Sequence, residues 1–183
     1  MFVLATVLAV LMAGFDVAPV SAGATRFVVT ERFAFKLVNC LRTGGKITKA
    51  GKCRGYGSGK YARYRAPLKY SRKISDKVAW PWARKSAIAN VCGHSLAGST
   101  IDKRFRAAGL KAANAENVGC GTSWKPRQMV ITVLRWWQAE KAYRGWHWRQ
   151  LRDKDFKSMG VGVAKLGNGR TRLVVNFYAK TPA

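Results

Sequence analysis

The sequence predicts a single domain of the α+β class, in which helices come first and a β-hairpin closes the chain. Amphipathic helical stripes in the first two thirds and an Asn-Gly pair between two late apolar runs support this prediction. With 183 residues, 48% of them hydrophobic, the chain can bury one core and is too apolar to be wholly disordered. The sequence contains no internal repeat, P-loop or glycine motif of a nucleotide-binding enzyme.

The first 22 residues are predicted to be a signal peptide that lies outside the domain. An apolar run from Phe2 to Phe15 is followed by Val20-Ser21-Ala22, which resembles a cleavage site. The run is short for a membrane span, which favours a signal peptide, although it lacks the Lys or Arg that usually precedes one. We therefore expect export, with a retained apolar helix as the alternative.

The first predicted element of the mature chain is a helix over residues 31–41, with Thr30 as its N-cap. Its apolar residues recur at helical spacing, and Thr43-Gly44-Gly45 ends it. Residues 44–65, called the basic segment below, are rich in Gly, Lys, Arg and Tyr and are predicted to form an exposed loop.

Two further helices and a hairpin follow. A helical stripe from Ile74 to Ala89 predicts a second helix that begins near Ser75 or Asp76, and Pro81 is expected to kink or divide it. A third helix is predicted over residues 126–141, with a proline in its first turn. Apolar runs on either side of Gly167-Asn168-Gly169 predict the C-terminal hairpin.

Four cysteines, Cys40, Cys53, Cys92 and Cys120, occur in the chain. An even number in an exported protein predicts two disulfides. Three connectivities are possible. We favour Cys40–Cys53 and Cys92–Cys120, because each closes a local loop. A structural zinc site is the weaker alternative, because the sequence has no CxxC spacing.

The charge predicts an anionic partner. The chain has 34 Lys and Arg against 8 Asp and Glu, a formal net charge of +26. An anionic cell-wall polymer or a lipid surface is favoured for an exported protein, and nucleic acid held by phosphate contacts and tyrosine stacking is the alternative. The residues expected to bind the anion are Lys52, Arg54, Lys60, Arg63 and Arg65 of the basic segment.

Both histidines and two of the three glutamates, His94, Glu116, Glu140 and His147, lie within 54 residues of one another. Two imidazoles and two carboxylates suit zinc binding or acid–base chemistry. The alternatives are a glutamate in an ion pair with one of the many cations and a histidine in an ordinary hydrogen bond.

Several segments in order resemble the CAP superfamily in its bacterial, SCP-like form. Leu37-Val38-Asn39 with Arg42 is similar to its opening helix motif, and Cys92-Gly93-His94-Ser95 with Ala115-Glu116-Asn117-Val118-Gly119 to its central signature. Trp137-Gln138-Ala139-Glu140 and His147-Trp148-Arg149-Gln150-Leu151 resemble the next motif, and Val175-Asn176-Phe177 resembles the last strand.

The resemblance implies an α-β-α sandwich over residues 27–180, with the basic segment inside it. It implies a cleft tetrad of His94, Glu116, Glu140 and His147, to which a divalent metal could bind, zinc being favoured over calcium or magnesium. A Cys92–Cys120 disulfide would then join the chain before His94 to the chain after Glu116.

The function that we expect is that of a secreted, non-enzymatic binding module, associated with a cell wall or lipid surface. The alternatives are a metal-assisted hydrolase of wall polymer or peptide, and a cationic antimicrobial or nucleic-acid-binding protein.

Overall fold

A computed structural model of the protein describes residues 23–122 and 125–182. The predicted signal peptide, residues 1–22, lies outside the described residues. The helices are α1 (Val28–Arg42), α2 (Arg72–Ile74), α3 (Trp80–Ile88), α4 (Ile101–Ala107), α5 (Pro126–Ala139) and α6 (Trp146–Arg152). The strands are β1 (Thr25–Arg26), β2 (Lys46–Ile47), β3 (Cys53–Arg54), β4 (Lys69–Tyr70), β5 (Asn114–Gly121), β6 (Ser158–Lys165) and β7 (Thr171–Tyr178). Within the described part, no helix is long and apolar enough to cross a membrane.

A five-stranded sheet with the order β1-β6-β7-β5 forms the centre of the fold, and β4 pairs in parallel with the start of β6. The long strands β5, β6 and β7 are antiparallel to their neighbours. The predicted C-terminal hairpin is confirmed as β6 and β7, which are joined through Gly167-Asn168-Gly169. At the other end of the sheet, β5 is an edge strand within the described residues.

Helices cover both faces of this sheet, as the predicted sandwich requires. Val161, Val163 and Val175 pack in one core with α1, α5 and α6. Ala164 and Val174, whose side chains point to the opposite face, pack against α3. Burial on both faces explains why the apolar residues of β6 and β7 are not confined to alternate positions.

Gly160 and Gly162 allow the second helical layer to lie directly on β6. A Cβ at Gly160 would come within 2.4 Å of the Ser75 nitrogen, and one at Gly162 within 2.4 Å of the Ala79 carbonyl oxygen. Any side chain at these two positions would therefore push the helix away from the sheet.

The second helix starts earlier than predicted, and the chain stays helical through Pro81. It begins at Arg72, where the Ser71 side chain accepts a hydrogen bond from Ile74 N, several residues before the expected start. Pro81 does not divide it, because a π-helical stretch, Ser75–Ala79, leads directly into α3. Proline has no N–H to donate to the preceding turn, and the wider π turn accommodates the missing bond.

The first helix also starts earlier than expected. Its N-cap is Phe27 rather than Thr30, which is buried. Two tertiary contacts explain this start: Phe27 N donates to Val163 O, and the buried Glu31 carboxylate accepts hydrogen bonds from Arg26 and Val163 N.

Two polar side chains of α1 hold the chain that leads into β4. The Asn39 amide exchanges hydrogen bonds with the backbone of Leu68, at 3.0 and 2.8 Å. Arg42 donates to three carbonyl oxygens, those of Ala66 at 3.0 Å, Leu151 at 2.7 Å and Asp153 at 2.9 Å. The Asn and Arg of the opening helix motif are therefore structural clamps.

The predicted disulfide pairs, Cys40–Cys53 and Cys92–Cys120, are both present. The first joins α1 to β3, and the second joins the chain before His94 to β5.

Candidate functional site

Glu116 is the centre of the first His–Glu pair. Its side chain is completely buried on β5, and its Oε1 lies 3.1 Å from His94 Nδ1. Arg104 Nη2 donates to both carboxylate oxygens at 2.8 Å, and Asn176 Nδ2 donates to Oε2 at 3.0 Å. A carboxylate offers about four lone-pair sites, so the polar contacts of Glu116 are satisfied inside the protein.

Arg104 links this carboxylate to the loop that carries His94. Its guanidinium stacks over the Trp82 ring at 3.9 Å, and its Nη1 donates to the His94 carbonyl oxygen at 3.1 Å. Trp82 Nε1 in turn donates to Gly93 O at 3.1 Å. The backbone on both sides of the His94 ring is thus fixed by α3 and α4.

Arg104 and Asn176 are site residues that the sequence reasoning missed. Asn176 lies in the last-strand segment that resembles the family, but nothing in the spacing of either residue marks it as a partner of Glu116. The signal that could have found Asn176 is strand register, because Asn176 on β7 is the direct partner of Glu116 on β5.

The second pair lies at the junction of α5 and α6. His147 Nδ1 is 2.6 Å from Glu140 Oε1, and Trp148 N donates to Glu140 Oε2 at 3.1 Å. The His147 ring stacks on Trp137, with centroids 5.1 Å apart. Both side chains line a cavity of about 230 Å³ at the edge of β5. Gly145 makes this arrangement possible, because a Cβ there would come within 2.6 Å of Glu140 Oε2.

The four residues of the predicted tetrad form two hydrogen-bonded pairs, His94 with Glu116 and His147 with Glu140. Glu116 and Asn117 are consecutive on β5, so their side chains point to opposite faces of the sheet. Asn117 Nδ2 donates to the His147 carbonyl oxygen at 3.1 Å, and the cavity that Glu140 and His147 line includes Val118 and Cys92. His94 lines its own cavity of about 330 Å³ with Asp102 and Asn114.

The contacts of Glu116 disfavour this carboxylate as a metal ligand. Both oxygens of Glu116 contact the Arg104 guanidinium, and a cation bound there would have to displace it. In the two described ranges, no group of three or more His, Cys, Asp or Glu side chains is positioned to hold a metal ion. The predicted zinc ion, or calcium or magnesium in its place, stays a prediction.

The basic segment contains more order than the predicted loop. Its two short strands β2 and β3 form a ribbon, and the Cys40–Cys53 disulfide ties the ribbon to α1. Backbone hydrogen bonds from Gly59 to Thr43, from Tyr61 to Gly44 and from Arg65 to Arg42 hold the remainder. The predicted anion-binding side chains are exposed at Lys52, Arg54, Lys60 and Arg63, and half-buried at Arg65.

Comparisons with known proteins agree with this fold. An outer surface protein from Borrelia burgdorferi is 15% identical, with a TM-score of 0.61, and the match covers 87% of this chain and 99% of that one. An extracellular protein containing an SCP domain from Bacillus anthracis is 16% identical, with a TM-score of 0.58, over 84% of this chain and 41% of the other. None of the curated protein sequences matches the chain significantly.

A match to a family model shows family membership as well as fold similarity. The model of the cysteine-rich secretory protein family, CAP, covers residues 35–178, which include both disulfides, both His–Glu pairs and the basic segment. The chain belongs to the CAP family.

Proposed function

We propose that this CAP-domain protein is an exported, non-enzymatic binding module that attaches to anionic cell-wall polymer or lipid headgroups through its cationic surface. The basic segment is the main contact. The observation that carries the proposal is that the backbone of this segment is fixed while four of its cations, Lys52, Arg54, Lys60 and Arg63, remain exposed.

The lack of acids in this part of the sequence strengthens this contact. Residues 32–75 contain thirteen Lys and Arg and no Asp or Glu. A cationic surface whose backbone is already ordered loses little conformational entropy on binding, so more of the electrostatic attraction appears as affinity.

An extracellular location supports the choice of an envelope partner. The two disulfides are typical of oxidising compartments. The two structural neighbours are described as an outer surface protein and an extracellular protein.

Binding to vesicles and to a wall-type polymer tests the proposal. Sedimentation with phosphatidylglycerol–phosphatidylcholine vesicles and with poly(glycerol phosphate) should show binding that weakens steeply as salt is raised from about 0.05 to 0.5 M. Each basic residue at an anionic surface contributes about 1 kcal/mol, so removing five should lower affinity at least tenfold. The variant replaces Lys52, Arg54, Lys60, Arg63 and Arg65 with Gln.

A matched control separates this contact from net charge. It removes the same number of exposed cations from α3, α4 and their flanking segments, by replacing Lys77, Arg84, Lys85, Arg106 and Lys111 with Gln. Equal losses in the two variants would contradict a role for the basic segment. Tighter binding to duplex DNA than to either envelope probe at equal salt would favour the nucleic-acid alternative.

One observation favours a second candidate function, hydrolysis of wall polymer or peptide. Glu140 lies 2.6 Å from His147 Nδ1 in a solvent-accessible cavity. In the tautomer that protonates Nδ1, the carboxylate orients the ring and leaves Nε2 able to accept a proton. A zymogram on purified wall material, with and without chelator, should show clearing that His147→Ala abolishes. No clearing by the wild type would exclude this function for that substrate.

Calorimetry tests the metal prediction separately. If zinc binds at the histidines, His94→Ala or His147→Ala should remove most of the affinity, and binding should weaken near pH 5, where protons compete for imidazole. Equal zinc affinity in the wild type and both variants would contradict a metal at these pairs.

A further inference from the structure

A third cavity, of about 350 Å³, opens next to the basic segment and shares no lining residue with the cavities at the His–Glu pairs. Its volume falls in the range of about 300–1,000 Å³ that is typical of small-molecule sites. No carboxylate lines it. The cations that do line it are Arg42, Arg65, Lys69, Lys154 and Lys157.

Arg42 is a fixed and buried part of this cavity. Its side chain is 1% exposed, and its Nε and Nη1 are held by the three backbone carbonyl oxygens described above. Its Nη2 has no hydrogen-bond partner among the described residues. The guanidinium is therefore held in place with one donor nitrogen to spare, which lowers the cost of ordering it around a ligand.

The other cations are free to turn toward a ligand. Within the described part of the chain, the side chains of Arg65 and Lys69 form no hydrogen bond or ion pair. Lys154 pairs with Asp155 at 2.9 Å, but both side chains are about 70% exposed, and exposed pairs are weak. Lys157 Nζ donates only to the Lys154 carbonyl oxygen.

Mutual repulsion among the arginines favours an anion at this place. Burial is the largest of the causes that lower the pKa of Arg42 to about 10; the charges of Arg152 and Arg65 act in the same direction, and the charge of Asp153 opposes them. Burial and the charge of Arg65 likewise lower the pKa of Arg152 to about 10. Because this value is far above neutral pH, these arginines stay charged there, and a bound anion would relieve their repulsion.

We propose that this cavity binds a phosphate ester whose phosphoryl group contacts Arg42, Arg65 and Lys69. A phosphoryl group can accept several charge-assisted hydrogen bonds at once, which suits cations that surround it. The cavity also has apolar walls, Tyr64, Pro67 and Phe156, against which a small polyol or sugar attached to the phosphate would pack.

The proposal takes its biological setting from the proposed function, because wall polymers and lipid headgroups both carry phosphate esters. Its test uses small molecules and is independent of polymer binding. Calorimetric titration at low salt should show saturable binding of glycerol 3-phosphate with a dissociation constant at or below about 1 mM. Glycerol should not bind. Glycerophosphoglycerol and inorganic phosphate show whether the cavity prefers a diester, as in a polymer or lipid headgroup, or the free ion.

Variants locate the site without disturbing the Arg42 clamp. Arg65→Gln and Lys69→Gln should each weaken glycerol 3-phosphate binding at least fivefold, with unchanged unfolding by urea. The control replaces Lys52 and Lys60, which lie outside the cavity, with Gln and should change affinity less than twofold. No saturable binding, or equal weakening in the control, would overturn the proposal. Site-specific phosphate binding in a protein that does not sediment with the envelope probes would support the cavity and refute the proposed function.

Discussion

Replacing Glu116 with Gln should destabilise the protein strongly, because it removes the charge that balances a buried arginine. Glu116 is fully buried, and the Arg104 side chain is only 9% exposed. Removing one partner of a buried ion pair typically costs about 3–5 kcal/mol. Gln keeps one oxygen that can accept from Arg104 but adds an N–H₂ group facing two donors. We therefore expect a loss of about 3 kcal/mol.

Urea unfolding measures this loss without reducing the disulfides. With a slope of about 2 kcal/mol per molar urea, the midpoint should fall by about 1.5 M. Glu140→Gln is the matched control. Glu140 is 14% exposed and faces a histidine rather than an arginine, so its replacement should cost about 1 kcal/mol. A shift below about 0.3 M for Glu116→Gln would refute the reasoning.

A double variant separates the stability cost of an unpaired Arg104 charge from the cost of the lost hydrogen bonds. If the cost comes mainly from leaving Arg104 charged and unpaired, Arg104→Met combined with Glu116→Gln should recover at least half of it. Equal instability in the single and double variants would assign the loss to Asn176 and His94 instead.

Three further predictions concern structural residues that position these sites: a glycine of the sheet, a disulfide and a buried arginine. Gly162→Ala should destabilise the protein by about 2–3 kcal/mol, because its Cβ would meet the Ala79 carbonyl at the end of the π-helical stretch. Gly167→Ala, with open space around it, should be nearly neutral in urea unfolding. Replacing Cys92 and Cys120 with Ala should cost about 3–4 kcal/mol, the value expected for a loop with a sequence separation of 28, and full stability of that variant would contradict the disulfide's role. Arg42→Lys should cost about 2–3 kcal/mol in thermal or urea unfolding, because one ammonium cannot reproduce the guanidinium's fixed geometry toward three backbone carbonyls.

The parts of the fold that local patterns determine were predictable. The β6–β7 hairpin follows from a Gly-Asn-Gly turn between apolar runs, and α5 follows from its apolar stripe and its proline in the first turn. Tertiary contacts determine the rest. The start of α1 depends on the bond between Phe27 N and Val163 O, across 136 positions of the chain, and no pattern around Thr30 could show it.

What the sequence could not predict at the candidate site depends on tertiary contacts in the same way. Residue type and spacing identified both histidines and both glutamates, but not the division into two pairs. The neighbours of Glu116 depend on the register of its strand, which joins β5 to β7 about 60 residues later. The sequence alone could not identify Arg104 as the partner of Glu116, because the chain has 34 Lys and Arg and nothing distinguishes this one.

Because the protein has few acids, burying some of them leaves the positive charge of its surface largely unbalanced. Among the seven carboxylates in the described residues, five are in ion pairs with a cation or a histidine, and Glu31 and Glu116 are fully buried in that role. The two buried glutamates therefore organise the interior, and five carboxylates of the described residues remain to neutralise exposed Lys and Arg. The resulting surface repulsion opposes folding, while the disulfides and the buried clamps favour it. An anion that binds the native state stabilises it by mass action, and most where cations are held closest together. In the described structure, the buried Arg42 beside Arg65 and Arg152 is such a place.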